Sequence, residues 1–142
     1  MRSFFLALIC FTLLGHDANS EKGEIPSFQS PPQKYENKKI IGGVVAEPGG
    51  TAKVTDELQV GDISKDQLTF WFYIYGPNFH ICSMSGIAAA AEGEYLYSEE
   101  KCKLSISLKP RKVEIEDAGG YCKALHCGSR AHIGKTIFER RG

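Results

Sequence analysis

The sequence predicts an all-β fold, a small antiparallel meander that closes as a barrel or a two-sheet sandwich and carries two disulfides. Three observations predict it. Short runs rich in β-branched and aromatic residues recur about every ten residues from Leu68 onward, each bounded by Gly, Pro, Asn or charged turn residues. No alternation of strands with long helical patterns occurs, so a parallel βαβ fold is excluded. Four cysteines, Cys82, Cys102, Cys122 and Cys127, crowd into the same stretch, while the fifth, Cys10, lies in an N-terminal apolar run. Removal of that run as a secretion signal leaves an even number of cysteines in an oxidising compartment, the pattern of an exported, disulfide-braced domain.

Each element has its own signal. Leu68 to Tyr75 is apolar on both faces and ends at Gly76-Pro77-Asn78, which predicts a buried strand and a turn. Phe79 to Gly86 follows as the second arm of a hairpin. Ala88 to Ala91 is helix-prone but too short to nucleate a helix alone. Glu94 to Tyr97 reads as a third strand. Cys102 to Lys109 alternates cleanly, with Cys102, Leu104, Ile106 and Leu108 on one face and Lys103, Ser105, Ser107 and Lys109 on the other. Lys112 to Glu116 alternates again after Pro110. Asp117-Ala118-Gly119-Gly120 is a loop, and the last strand runs near Lys135 to Arg140 with Ile137 inward.

Upstream of Leu68 the signals are weaker. Met1-Arg2-Ser3 followed by the apolar run Phe4 to Leu14 has the charge and length of a signal-peptide core, about a dozen residues against the ~20 needed to span a bilayer. Ala18-Asn19-Ser20 places small residues for cleavage before Glu21. The expected organisation is therefore a signal over 1–20, a flexible Pro-rich spacer over 21–39, a weakly structured lead-in over 40–66 and the β-domain over 67–142. Within the lead-in, Ile40 to Val45 is a weak edge strand and Glu57 to Val60 a strand or turn. Export implies a periplasmic or secreted protein with no stable membrane insertion after cleavage.

The chain has no net charge, which argues against a nucleic-acid partner, yet the charge is divided. Glu21 to Glu100 holds 6 Lys/Arg and 12 Asp/Glu, whereas Lys101 to Gly142 holds 10 Lys/Arg and 4 Asp/Glu. The basic half includes Lys123, His126, Ser129, Arg130 and Lys135 around the Cys122 to Cys127 segment. A bridged loop loses less entropy on binding, so these five are the candidate binding residues. The plainer reading is that these cations balance the acidic half.

Four cysteines allow three pairings. Cys82 with Cys102 and Cys122 with Cys127 is the favoured one, because the first two lie on strands with apolar neighbours and the last two enclose a small loop. No metal or cofactor is expected, since the paired Cys-x2-Cys or His-x3-His spacing of a zinc site is missing. Gly128 to Thr136 resembles a phosphate loop but has five residues between its glycines instead of four. Lys39-Ile40-Ile41-Gly42-Gly43 resembles a protease activation site, but no Gly-Asp-Ser-Gly-type segment accompanies it. No catalytic residue is predicted.

The series His80-x-Cys82, Ser85-Gly86, Glu94-Tyr95-x-Tyr97, Cys102-x-Leu104, Cys122-x4-Cys127-Gly128-x-Arg130-Ala131 and Phe138 resembles a cysteine-rich β-module of bacterial periplasmic lysozyme-inhibitor-like proteins. The resemblance covers about Phe70 to Arg140. It implies a small antiparallel barrel that is not an enzyme and that blocks a muramidase by inserting a polar loop into its acidic cleft. The inhibitory Ser-Gly-x-x-Tyr loop of such proteins is not matched, because Ser85-Gly86 is followed by Ile87-Ala88-Ala89. The expected function is an exported binding module for a protein, such as a muramidase, or for a cell-wall component. A toxin-specific immunity-type protein and a small periplasmic hydrolase are the readings of other classes.

Overall fold

The computed structural model describes residues 25–44 and 49–142; the expected signal, its cleavage site and Cys10 lie outside them. Eight antiparallel strands form a closed up-and-down barrel in sequence order. They are β1 (Gln33–Val44), β2 (Gly50–Gly61), β3 (Gln67–Tyr75), β4 (Ile81–Ala91), β5 (Glu94–Glu99), β6 (Cys102–Lys109), β7 (Lys112–Glu116) and β8 (Lys135–Arg140). A 3-10 turn at Pro77–Phe79 joins β3 to β4, and one helical turn, α1 (Lys123–His126), interrupts the long β7–β8 connection.

The barrel begins at Gln33, inside the stretch that reads as a spacer, and two of its walls come from residues 33–61. Polar composition hides β1 because it is half-buried on one side only; its inward residues are few, with Tyr35 and Ile41 buried. The helix-prone alanines continue β4, since Ala88 faces inward and is fully buried. Tertiary pairing there overrides a weak local preference.

Inward residues fill the interior. Leu58, Val60, Leu68, Phe70, Phe72, Leu104, Ile106, Val113, Ile115 and Phe138 all have no exposed surface. An eight-stranded barrel is just wide enough for side chains to fill, and this one is filled. β3 is buried on both faces, as its composition predicts, and outward-facing Trp71 stacks with Tyr73 at 6.5 Å. In β8 the face is reversed from the expected one. Phe138 is fully buried and Ile137 is 42% exposed. A one-residue shift of phase exchanges the faces of a strand, and the larger ring takes the core.

Asp56 is buried without being apolar. β2 leaves β3 beyond the Glu57–Tyr73 pair, so the Tyr75 N–H has no strand partner and donates to Asp56 Oδ1 at 2.8 Å. Lys39 Nζ lies 2.7 Å from Asp56 Oδ2, and Asn37 donates to the same oxygen at 3.1 Å. The carboxylate thus ties the projecting part of the β1–β2 hairpin to the end of β3.

Two seams are short. β4 pairs with β5 only at Ala89–Ala91, so the start of β4 splays away from β5. β8 pairs with β1 at two residue pairs, Tyr35–Arg140 and Glu36–Glu139. At one end the β2–β3, β4–β5 and β6–β7 turns close the barrel, and the 28–30 segment covers it, with Phe28 over Gly61 and the Gln29 and Ser30 N–H groups donating to Asp62. The other end is covered by the β7–β8 connection.

Candidate functional site

The β7–β8 connection, 117–134, forms a cap over the barrel mouth. Three of its apolar residues turn inward: Cys122, Ala131 and Ile133 are buried with the core. Asp117, also buried, accepts the Cys122 N–H at 3.2 Å and sets the start of the turn that becomes α1. Gly76 meets the cap closely, because a Cβ there would lie 2.7 Å from Ala131 Cα. Only glycine permits that approach without moving the cap.

Two nested disulfides pin this cap: Cys82–Cys127 and Cys102–Cys122. The pairing differs from the favoured one, and the barrel order gives the reason. β5 lies between β4 and β6, so Cys82 and Cys102 are two strands apart, about 9–10 Å at ordinary strand spacing. A disulfide needs Cα atoms within about 7 Å. The observed Cα separations are 4.0 and 4.3 Å. Cys122 and Cys127 instead stand at the two ends of α1, each joined to a different strand. Cys127 also forms a bridge with Cys82, and the Gly128 N–H donates to Ile81 O at 2.7 Å, so the cap fills the wedge between β4 and β5. Two structural disulfides place the protein in an oxidising, extracellular type of compartment.

The rest of the wedge is filled by Tyr97, whose ring stands edge-on to Phe70 at 5.4 Å. Gly86 makes room for it, since a Cβ there would sit 2.4 Å from the ring. The Tyr97 hydroxyl donates to Glu99 Oε2 at 2.8 Å, and His126 Nε2 of the cap lies 2.8 Å from the same oxygen. Burial, then the bond to Glu99, pushes the Tyr97 phenol up to about 12. The bonds from Tyr97 and His126 hold the Glu99 carboxyl below its ordinary value. Through this one oxygen, Tyr97 and Glu99 of β5 are joined to His126 of α1, so the trio clasps cap to barrel. On alkaline titration, Tyr97 is expected to stay neutral while an ordinary tyrosine ionises at 10.0. Its raised value means that the folded state holds a proton the unfolded chain has lost, so stability falls as pH rises from about 10 toward 12. Phenolate absorbance checks this: Tyr97→Phe should remove a late ionisation step, and loss of an early step instead would contradict it.

The structure distributes the five sequence-predicted binding residues. Lys123, Ser129 and Arg130 lie exposed on the cap, and neither cation makes an ion pair among the described residues. His126 is on the cap but turned to Glu99. Lys135 belongs to the barrel wall, with its Nζ 2.8 Å from Glu114 and 3.9 Å from Glu116. Those carboxylates hold the Lys135 ammonium above its ordinary value, and Glu114 is correspondingly lowered. Two cap residues were not singled out by sequence: Tyr121, 57% exposed, and Leu125, 45% exposed. Their signal is apolar character in a Gly-Gly and Cys-bounded loop where no strand period assigns it inward.

Among the described residues no group of three or more His, Cys, Asp or Glu side chains is placed to hold a metal ion. No described helix is long and apolar enough to cross a membrane. Comparison of the chain with protein-family models, curated proteins and solved structures finds no match.

Proposed function

We propose that this is a periplasmic or secreted, non-enzymatic binding protein that recognises a protein partner with its disulfide-pinned cap. A muramidase is the partner class proposed first. The supporting observation is that Tyr121 and Leu125 stand exposed on a cap fixed by both disulfides, together with Lys123 and Arg130. Tyrosine and arginine are enriched among the residues that dominate binding energy, and aromatic anchors beside charged groups suit a desolvated contact. The bridges remove much of the ordering cost that a free loop of this length would bring. The filled barrel favours recognition on the outer surface over a ligand held inside.

Calorimetric binding to a purified muramidase tests the reading. Wild-type protein is expected to bind, and Tyr121→Ala and Arg130→Ala are each expected to weaken binding about tenfold or more. Both side chains are exposed, so the melting temperature should stay unchanged. If Arg130→Ala binds normally but melts earlier, Arg130 serves stability rather than recognition and the assignment of the site is wrong. Absence of wild-type binding to any muramidase removes the inhibitor reading.

A further inference from the structure

The charge division of the sequence has a location away from the cap. Of the ten Lys/Arg residues after Glu100, the cap carries Lys123 and Arg130, whereas five gather at the opposite end of the barrel. These are Lys109, Arg111, Lys112, Arg140 and Arg141, and Lys34 of β1 joins them. Backbone bonds fix their arrangement. Lys109 is opposite Lys112 across the β6–β7 turn, and Lys112 is opposite Glu139 on β8. The Arg140 N–H donates to Arg111 O at 2.8 Å, and the Arg141 N–H donates to Lys34 O at 3.0 Å. The strip therefore crosses the ends of β7, β8 and β1, which are adjacent and spaced about 5 Å apart. Four of the cations, with Pro110 and Glu139, line one shallow concavity of about 390 Å³.

The strip is electrostatically unbalanced. Lys34, Arg111, Lys112, Arg140 and Arg141 are exposed and make no ion pair among the described residues, and Lys109 reaches Glu114 only at 3.6 Å. Like charges directly opposite in a ladder, as at Lys109 and Lys112, are destabilising, so a counter-anion is favoured there. Glu139 is the one carboxylate of the concavity against its four cations; Glu114 lies beside Lys109, and Glu36 and Glu57 lie beside Lys34 and Arg141, so the six cations exceed the carboxylates around them by two.

We infer that this strip is a binding surface for a linear sulfated polysaccharide. Sulfate keeps its charge at every physiological pH, and its oxygens suit the planar donor fork of arginine. The oxidising compartment indicated by the disulfides is where such glycans are met. An anionic membrane fits less well, because the same end of the barrel carries Asp62, Asp66, Glu92 and Glu94 on its other connections, and a flat surface would meet these too. A linear chain follows the basic edge alone. Nucleic acid fits less well, because the strip has no aromatic platform for base stacking.

Calorimetric titration of the full-length folded protein with a heparin oligosaccharide of defined length, at several salt concentrations, decides the matter. Wild type is expected to bind, with log K falling linearly against log salt. Arg111→Ala/Lys112→Ala and Arg140→Ala/Arg141→Ala should each lose about tenfold in affinity and reduce the slope by about one per cation removed. Lys101→Ala/Lys103→Ala removes the same charge near the cap and should change affinity less than about twofold. No wild-type binding, or equal losses in all three double variants, overturns the assignment. So does equal affinity for a desulfated oligosaccharide. Equal or tighter binding of phosphatidylserine vesicles or single-stranded DNA, with the same variants losing it, means that the partner class is wrong. None of these outcomes depends on whether the cap binds a muramidase.

Discussion

Replacing Cys82 and Cys127 together by Ala is expected to lower the unfolding free energy by about 4 kcal/mol, and replacing Cys102 and Cys122 by about 3 kcal/mol. The bridges span sequence separations of 45 and 20 residues, and the chain-entropy model makes the longer loop the larger loss. Nesting lowers both losses by the same amount, because each bridge shortens the loop that the other closes, and leaves the gap between them unchanged. Each loss is large for a single domain of this size, whose total stability is on the order of 5–15 kcal/mol. The two variants should also fail differently. Without Cys82–Cys127, the segment at Gly128 loses its hold on Ile81 and the wedge between β4 and β5 opens. Without Cys102–Cys122, the start of α1 is released from β6, while Cys127 still anchors its end. Denaturant melts with amide exchange read this directly. A change below about 1 kcal/mol in both variants would mean that the cap is held by packing alone.

Phe138→Ala is expected to cost about 3–5 kcal/mol, the range for truncating a fully buried aromatic residue. The expectation rests on how β8 is attached. Phe138 is its one fully buried side chain, set against Val113 of β7, and on its other edge β8 meets β1 at two residue pairs. Removing the ring leaves a cavity and weakens the seam that closes the barrel. Ile137→Ala, one residue away on the outer face, should cost under about 1 kcal/mol. Urea unfolding of the two variants makes the comparison. Equal losses would show that the phase of β8 is other than described.

Strand content was legible where a period of two met a clear apolar choice. Cys102 to Lys109 and Lys112 to Glu116 have the boundaries expected from alternation alone. The doubly apolar Leu68 to Tyr75 announces a strand buried on both faces. Of β1 only the end was legible, as the edge strand from Ile40; Gln33 to Lys39 was not, because that length is held by backbone pairing to β2 rather than by apolar side chains. The disulfide pairing was not legible either. It depends on β5 separating β4 from β6, a fact of strand order that neither cysteine spacing nor hydropathy encodes. Asp56 escaped notice for a related reason, since its role appears only once β2 and β3 diverge and leave the Tyr75 N–H without a partner. Of the candidate site, the cations Lys123 and Arg130 could be read from charge. Tyr121 and Leu125 could not, because a loop without periodicity gives no rule for which apolar residues stay outside.

Recognition by a rigid surface requires a cap stapled to two separate strands, and peptide mapping without reduction tests that most directly. Trypsin places each of the four cysteines in a different peptide, with cleavage after Lys101, Lys103, Lys112, Lys123 and Arg130. The structure predicts that Asp66–Lys101, holding Cys82, is linked to Ala124–Arg130, holding Cys127. It also predicts that Cys102–Lys103 is linked to Val113–Lys123, holding Cys122. Recovery of Val113–Lys123 joined to Ala124–Arg130 would close the cap on itself, free it from β4 and β6, and contradict the rigid surface on which the proposed recognition depends.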